Sequence, residues 1–373
     1  MADFIVIKRN DLGRETWDAF THSSDEAWLW HLYDLQDALA TWPHYRDRSV
    51  AFLDPDSGMR CLAILPLHLI PCIRLTSLGG PACDNSLAPK QKRKCLIFIR
   101  DYLIELAARH SVPSISVILS PMAPAYRGQR CPRVNPLLDC GFENTLGQTW
   151  VVDLRPGTDT IWQRMEGRAR TAIRKANSAQ TRIRAANLNT DLDVYYSLHC
   201  ETYQRTDVAP HPRSYFEMIW EKFYARGLAC IFFAEHDGEV VVADNFGVYK
   251  NSAIYWTGAS TSEGLALNAG SLIHWTAIQW MVERELQYYE TGEAFPNLSD
   301  GKLKGLNDFK RSFGGELYPY YKGSIDVQQL LRGKMSANRL FFQRLLDLSP
   351  RKIINRVEGV FRSYRGRLNQ NNE

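Results

Sequence analysis

The 373-residue chain has no run approaching the ~20 consecutive apolar residues that would cross a bilayer as a helix. Residues 1–11 lack the apolar stretch of a secretory leader, so the sequence reads as a cytoplasmic protein. Its eight cysteines (Cys61, Cys72, Cys83, Cys95, Cys131, Cys140, Cys200, Cys230) never fall at CxxC spacing. That removes the common zinc and redox patterns, and a reducing compartment leaves such cysteines as small buried hydrophobes. The nine histidines form no HxH or HxxxH pair, so no metal is expected. No GxSxG elbow is present, which argues against a serine hydrolase. With neither a GxxxxGK[ST] loop nor a GxGxxG after a strand, nucleoside triphosphate and dinucleotide sites lack support. Transfer from a donor activated beforehand is the chemistry that remains.

What is there reads as globular protein throughout: 45% of residues are hydrophobic and 23% charged. At this length two cores are expected. Residues 4–8 form an apolar strand-like run, and helical periodicity follows at 11–20 and 27–39. Two β-like runs, 49–53 and 61–67, flank the turn Asp54-Pro55-Asp56-Ser57-Gly58, whose residues favour tight reversal. A helix over 89–110 and a strand over 114–119 complete this unit.

The order then repeats. A linking strand at 149–154 and a basic helix at 160–186 lead to a helix starting near Pro212, with Tyr215, Phe216, Ile219, Trp220 and Phe223 on one face. Strand patterns at 228–235, 240–249 and 252–257 form a meander around His236-Asp237-Gly238-Glu239. Residues 266–284 are apolar nearly all round and predict a buried helix, followed by a strand at 286–290. Helix, hairpin, buried helix and strand are thus written twice, which predicts a duplicated α/β unit. The expected domains are 1–148 and 149–323, followed by a basic helical tail, 324–373. That tail carries ten basic and four acidic residues, in a chain of net charge +4. Such a tail is either a solvated helical surface or a segment that approaches anionic lipid or phosphate.

Two segments carry charge in a suggestive pattern. Residues 162–184 hold Arg164, Arg168, Arg170, Arg174, Lys175, Arg182 and Arg184 against Glu166 alone. As one helix, its dense basic face suits a diphosphate or a nucleic-acid backbone, or is plain solvated surface. The second is Thr291-Gly292-Glu293 together with residues 301–316, which read as a glycine-rich charged loop leaving a strand end. There Lys310, flanked by Phe309 and Phe313, is expected to be a partly desolvated cation.

Several segments resemble the Fem-type (FemAB-like) branch of the GNAT-like acyltransferases. They are the helix around Arg168 to Lys175, Glu201-Thr202-Tyr203-Gln204-Arg205 with His211-Pro212 and Tyr215-Phe216, residues 268–280, and the FK-x-x-FGG element from Phe309 to Gly315. The resemblance is strong from about residue 150 to 321 and architectural before that. It implies an α/β (α+β) fold of two tandem GNAT-like (acyl-CoA N-acyltransferase-like) domains, with mixed sheets flanked by helices. It also implies an acyltransferase that forms an amide on an amine. Many members carry amino acids from aminoacyl-tRNA to peptidoglycan precursors, and others are taken for acetyl- or acyltransferases.

By the same resemblance Lys310 would contact a substrate phosphate or the developing oxyanion, and Arg205 the diphosphate of the acceptor. Phe309, Phe313, Tyr215 and Lys304 would complete the acceptor side. Arg168, Arg174, Lys175, Asn268, Gly270 and Ser271 would form the donor side. Glu293, Asp308 or a substrate group would take the proton. No tightly bound cofactor is implied; the donor is acyl-CoA or aminoacyl-tRNA, and tRNA is a partner in the second case. The stretch Gly264 to Gly270 departs from the [QR]-x-x-G-x-[GA] loop of coenzyme A-dependent relatives. The acceptor expected is an amine on a nucleotide- or lipid-diphosphate precursor of cell wall or polysaccharide, with peripheral membrane contact through the basic tail. The alternatives are a coenzyme A-dependent N-acyltransferase of polysaccharide or lipid synthesis, and a non-catalytic module that binds tRNA or membranes. The complete FK-x-x-FGG element argues against the last.

Overall fold

Strands Val50–Asp54 and Arg60–Leu65 pair antiparallel as their turn chemistry predicts, with Gly58 closing the reversal at φ 71°. The computed structural model describes residues 4–145, 147–298 and 300–330. The described residues up to Ile325 belong to one compact unit.

The first half holds two sheets. Ile5–Lys8, Val50–Asp54, Arg60–Leu65 and Ala82–Cys83 make one. The second runs in the order Arg46–Asp47, His68–Ile70, Arg74–Gly79, Ser114–Leu119, Lys322–Asp326, Glu143–Thr145. Its strand Lys322–Asp326 arrives from far along the chain and pairs with Glu143–Thr145, so the sequence expected to open a helical tail at Ser324 instead finishes a strand. The rest of that tail, from residue 331, lies outside the described residues.

The second half is a seven-stranded mixed sheet in the order Arg182–Ala185, Ala229–His236, Glu239–Tyr249, Ser252–Ser260, Tyr288–Ala294, Gln148–Asp153, Glu316–Pro319. The helix Ala269–Glu283 is apolar on most faces and packs accordingly, burying Leu272, Ile273, Ala277, Ile278 and Met281 against the sheet and against Ile161, Ala169 and Ile173. The basic segment is not one helix. Thr158–Arg164 stops at Met165, which adopts an extended backbone, Gly167–Ser178 starts anew, and Arg182 and Arg184 stand on the first strand of the sheet. There Arg184 is paired with Asp191 and Glu235, each at 2.5 Å.

The halves meet through aromatic and polar contacts. Trp28 donates its indole N–H to Tyr249 O (2.8 Å) and Ser252 Oγ (2.9 Å), and Trp30 meets Trp256 edge to face. The Lys250 ammonium donates to the carbonyls of Thr21, Ser24 and Ala27 at 2.7, 2.5 and 3.0 Å. Those three acceptors lie at and just past the C-terminus of helix Arg14–Ser23.

Candidate active site

Strands Ser252–Ser260 and Tyr288–Ala294 run parallel but pair over three residues only, from Ser252↔Tyr288 to Ile254↔Glu290. Beyond that each keeps its other neighbour. Residues 257–260 stay with 245–242, and 292–294 stay with 150–148. Each strand also carries a bulge just past the last shared pair, with Trp256 extra on one and Thr291 on the other. A wedge-shaped cleft therefore opens at the carboxyl ends of two parallel strands, the usual ligand position of such sheets. Helix Ala269–Glu283 connects them, so its N-terminus lies at the same end; Ser271 N there already donates to Asn268 O at 3.0 Å, which leaves the N–H groups of Ala269 and Gly270 for a ligand. The corresponding strands of the first half, Arg74–Gly79 and Ser114–Leu119, stay paired over all six residues, and no such cleft forms there.

Glu290 stands at the apex of the split. It is 1% exposed, its Oε1 accepts the Thr149 hydroxyl at 2.7 Å, and its Oε2 has no hydrogen-bond partner. Burial pushes its carboxyl up to about 7, while the Thr149 hydrogen bond and the nearby Lys310 charge pull the other way. Lys310 is 8% exposed and donates to Glu293 O at 3.1 Å. Burial lowers its pKa, opposed by the charges of Glu290 and Glu293. Gly292 makes room for it: at φ 107° its backbone lies in the glycine region, and a Cβ there would sit 2.9 Å from Lys310 Nζ.

The setting of Lys310 differs from the sequence expectation. Residues 301–311 form a helix, Gly301–Arg311, and not a loop. Its glycines are overridden by packing: Asn307 Oδ1 accepts both Trp150 Nε1 (2.9 Å) and Phe295 N (2.8 Å), anchoring the helix to the sheet. Phe309 in the last turn of the helix and Phe313 just past its end enclose His274, which stacks on Phe313 at 4.8 Å and meets Phe309 edge to face. Lys310 points elsewhere, toward the strand Tyr288–Ala294 and the ring of Phe295.

The other expected residues divide. Arg205 closes helix Leu192–Thr206 and donates to Ser260 O (2.8 Å) and Ser260 Oγ (3.2 Å). It is thereby tied to the far end of one cleft strand, as Lys310 is tied to the other. Asn268, Gly270 and Ser271 lie at the N-terminus of the connecting helix, where Asn268 adopts φ 60°. Arg168 does not face this terminus: it pairs with Glu166 at 2.7 Å and donates to the carbonyl of Asp308. Arg174 and Lys175 are exposed, Arg174 lying over the Trp162 ring. Asp308 is held by Lys304 at 2.5 Å and by Arg168 and Arg311 at longer range, which keeps its carboxyl below the ordinary range. A carboxylate so surrounded is a poor proton acceptor. Glu293 pairs with Lys322 at 2.5 Å. Tyr215 is buried between the halves, its hydroxyl accepting Trp256 Nε1 at 2.9 Å. Among the described residues no group of three or more His, Cys, Asp or Glu is placed to hold a metal ion.

Sequence reading missed several groups. Under the cleft, His274 Nδ1 shares a hydrogen bond with Tyr289 OH (2.8 Å), and Asp244 Oδ2 is 3.6 Å from its Nε2. Burial drives Asp244 up to about 8 and His274 down to about 3, so both are neutral near pH 7. Beside the cleft, Trp42 of the first half meets His211 at 4.7 Å and Tyr215 at 6.1 Å, and Tyr203 meets His199 at 4.0 Å. Thr149 and Glu290 carried one usable signal, a carboxylate inside an apolar strand pattern.

Residues 163–311 match the family described as acetyltransferase (GNAT) domain. A search of the curated proteins found no match. Among solved structures, the chain is similar to FemX, with 16% identity, 88% of this chain and 98% of that one covered, and a TM-score of 0.65. It is similar to a tandem GNAT protein from the clavulanic acid biosynthesis pathway, with 13% identity, 87% and 98% covered, and a TM-score of 0.55. A C-terminal domain assigned to a lysylphosphatidylglycerol synthetase from Agrobacterium fabrum gives 14% identity, 87% and 95% covered, and a TM-score of 0.53. The cleft in the second half falls within the matched segment, and the duplicated unit spans nearly the whole of each neighbour, so the chain is an acyltransferase with a Fem-like tandem GNAT fold.

Proposed function

We propose that the protein transfers an aminoacyl group, from an ester-activated donor such as aminoacyl-tRNA, onto an amine of a cell-envelope precursor carried on a nucleotide or lipid diphosphate. The observation that carries this reading is a cleft confined to the second half, with Glu290 buried at its apex, Lys310 buried beside one strand, and Arg205 reaching the end of the other from helix Leu192–Thr206. The fold shared with FemX supports it. So does the neighbour named as a lysylphosphatidylglycerol synthetase, whose name joins an amino acid to a phosphate-bearing lipid.

The chemistry asks little beyond alignment and charge. The acceptor amine attacks the donor carbonyl, an amide C–N bond forms, the ester C–O bond breaks, and the amine proton must leave. Holding amine and carbonyl ~3 to 3.5 Å apart supplies much of the rate. Lys310, a cation in a dry setting, stabilises the oxyanion or an adjacent phosphate. Glu290 has a carboxyl pushed up to about 7, suited to exchanging a proton near neutrality, and replaces Asp308 as the better acceptor. Arg205, which donates to Ser260 and pairs with Glu201 at 3.6 Å, offers the acceptor diphosphate its guanidinium in exchange for the Glu201 contact. The helix N-terminus at Asn268 to Ser271 receives donor phosphate.

One observation favours a second reading, a coenzyme A donor: the matched family is an acetyltransferase domain. The test is a donor competition. The purified protein is incubated with labelled aminoacyl-tRNA or labelled acetyl-CoA and an amine-bearing precursor fraction, and labelled amide is measured by mass spectrometry. Amide from aminoacyl-tRNA alone is expected. Amide from acetyl-CoA alone transfers the assignment to the second reading, and no amide from either donor defeats both.

A further inference from the structure

The first half has no cleft, yet it contains a cavity of about 170 Å³ between helix Pro89–Arg109 and strand Ser114–Leu119. One wall is a stripe of Lys92, Leu96, Ile99 and Leu103, spaced to share a single helix face and spanning about 16 Å along the axis. The polar end is built from buried groups. Glu26, 7% exposed, accepts Cys83 N (2.9 Å) with Oε2, and Lys92 Nζ (2.5 Å) and Tyr126 OH (3.1 Å) with Oε1. Lys92 is half-exposed, so it stands where the cavity meets solvent, and its ammonium has two further donors beyond the one given to Glu26.

We propose that this cavity binds a small amphiphile, a linear alkanoate of about six to eight carbons, with its chain along the Leu96, Ile99 and Leu103 stripe and its carboxylate on Lys92. Protein interiors are otherwise close-packed, and an empty apolar volume of this size destabilises the fold around it. Apolar cavities of about 150 Å³ take up benzene-sized molecules, which sets the length of chain that fits. The head group follows from charge. Lys92 gives one ammonium hydrogen to Glu26 and keeps two for a ligand carboxylate, whose charge-assisted hydrogen bonds offset the repulsion of Glu26. This site is separate from the cleft of the second half and does not depend on the donor or acceptor used there.

The experiment is titration calorimetry of the full chain with acetate, butanoate, hexanoate, octanoate and dodecanoate, with methyl octanoate as the head-group control. Affinity is expected to rise about fourfold per methylene, from 0.8 kcal/mol per CH₂, and to level off near eight carbons as the cavity fills. Methyl octanoate is expected to bind at least fivefold more weakly than octanoate. Leu96→Trp, at a half-buried position of the stripe, should abolish octanoate binding while the protein keeps its thermal transition. The proposal is overturned if no saturable binding is seen, if affinity keeps rising at the same rate to dodecanoate as in unspecific adsorption, or if Leu96→Trp binds octanoate like the parent. Equal affinity for octanoate and its ester overturns the assignment of Lys92. The chain-length series uses the parent protein alone, so it decides the matter even where the variant fails to fold.

Discussion

Glu290→Gln separates the energetic cost of a buried carboxyl from any part that it plays in transfer. Burial lifts Glu290 from an ordinary value of 4.5 to about 7. The folded protein therefore keeps this proton between pH 4.5 and 7, while the unfolded chain has already released it. Stability from this group is complete below pH 4.5 and is lost as the pH rises toward 7. At 1.36 kcal/mol per unit, the whole loss is on the order of 3 kcal/mol. The side chain is 1% exposed, so solvent screening removes little of it. Glutamine copies the shape of the protonated carboxyl and keeps an acceptor for the Thr149 hydroxyl. At pH 5 parent and variant should unfold at nearly the same urea concentration, and at pH 8 the variant should be the more stable by about 2 to 3 kcal/mol. Asp244, also shifted upward, titrates in both proteins and cancels in the difference. Urea melts at pH 5, 6, 7 and 8 with matched slopes provide the measurement. A difference that does not change between pH 5 and 8 would show that Glu290 titrates normally, and would remove the basis for its role at the cleft apex.

Lys310→Met keeps most of the buried aliphatic stem and removes the charge; transfer is expected to fall by a factor of about 100 to 1,000 with a melting temperature close to the parent. Lys310→Ala is expected to lose transfer and also about 2 to 3 kcal/mol of stability by denaturant melts, because the stem packs at the Gly292 contact and leaves a void when truncated. Lys250→Met should destabilise the contact between the halves by about 2 to 4 kcal/mol, since three buried carbonyls lose a charged donor at once. Limited proteolysis should then cut between the halves before the second sheet is lost, and unchanged proteolysis with unchanged stability would refute that role.

Much of this architecture is written in local pattern. Periodicity predicts the helix at 89–110 and the strand at 114–119 within a residue of the observed Pro89–Arg109 and Ser114–Leu119, because long amphipathic or apolar runs leave few alternatives. The repeat of helix, hairpin, helix and strand is likewise local, but the first half divides it between two sheets while the second keeps it in one. Where the sequence reading goes astray, a distant partner decides. Gly301 and Gly305 suggest a loop, but Asn307 is pinned by Trp150 and Phe295, and that anchor makes the segment a helix. The turn of that helix sends the two phenylalanines to His274 and the lysine to the strand, so Lys310 is desolvated as expected but not by Phe309 and Phe313. Arg168 looks like a free phosphate ligand until Glu166 and Asp308 are seen beside it. Glu290 and Asp244 were invisible as site residues because desolvation, which shifts them, is a property of the packed core and not of any spacing along the chain.

The duplicated unit diverges in the number of residue pairs that its two parallel strands share, and that difference leaves a cleft in one half and not in the other. In the first half all six pairs form between Arg74–Gly79 and Ser114–Leu119, which satisfies the backbone groups there and closes the sheet to a ligand. In the second, bulges at Trp256 and Thr291 turn both strands away from each other after three pairs. A bulge leaves a residue outside the ladder and needs support from elsewhere. Thr291 obtains it from within its own half, through the carbonyls of Trp150 and Lys310. Trp256 obtains it partly from across the molecule, where Trp30 of the first half packs on its ring while Tyr215 accepts its N–H. Tyr215 is in turn braced by Trp42, again from the first half. The half without a cleft thus buttresses one wall of the cleft in the other through Trp30 and Trp42.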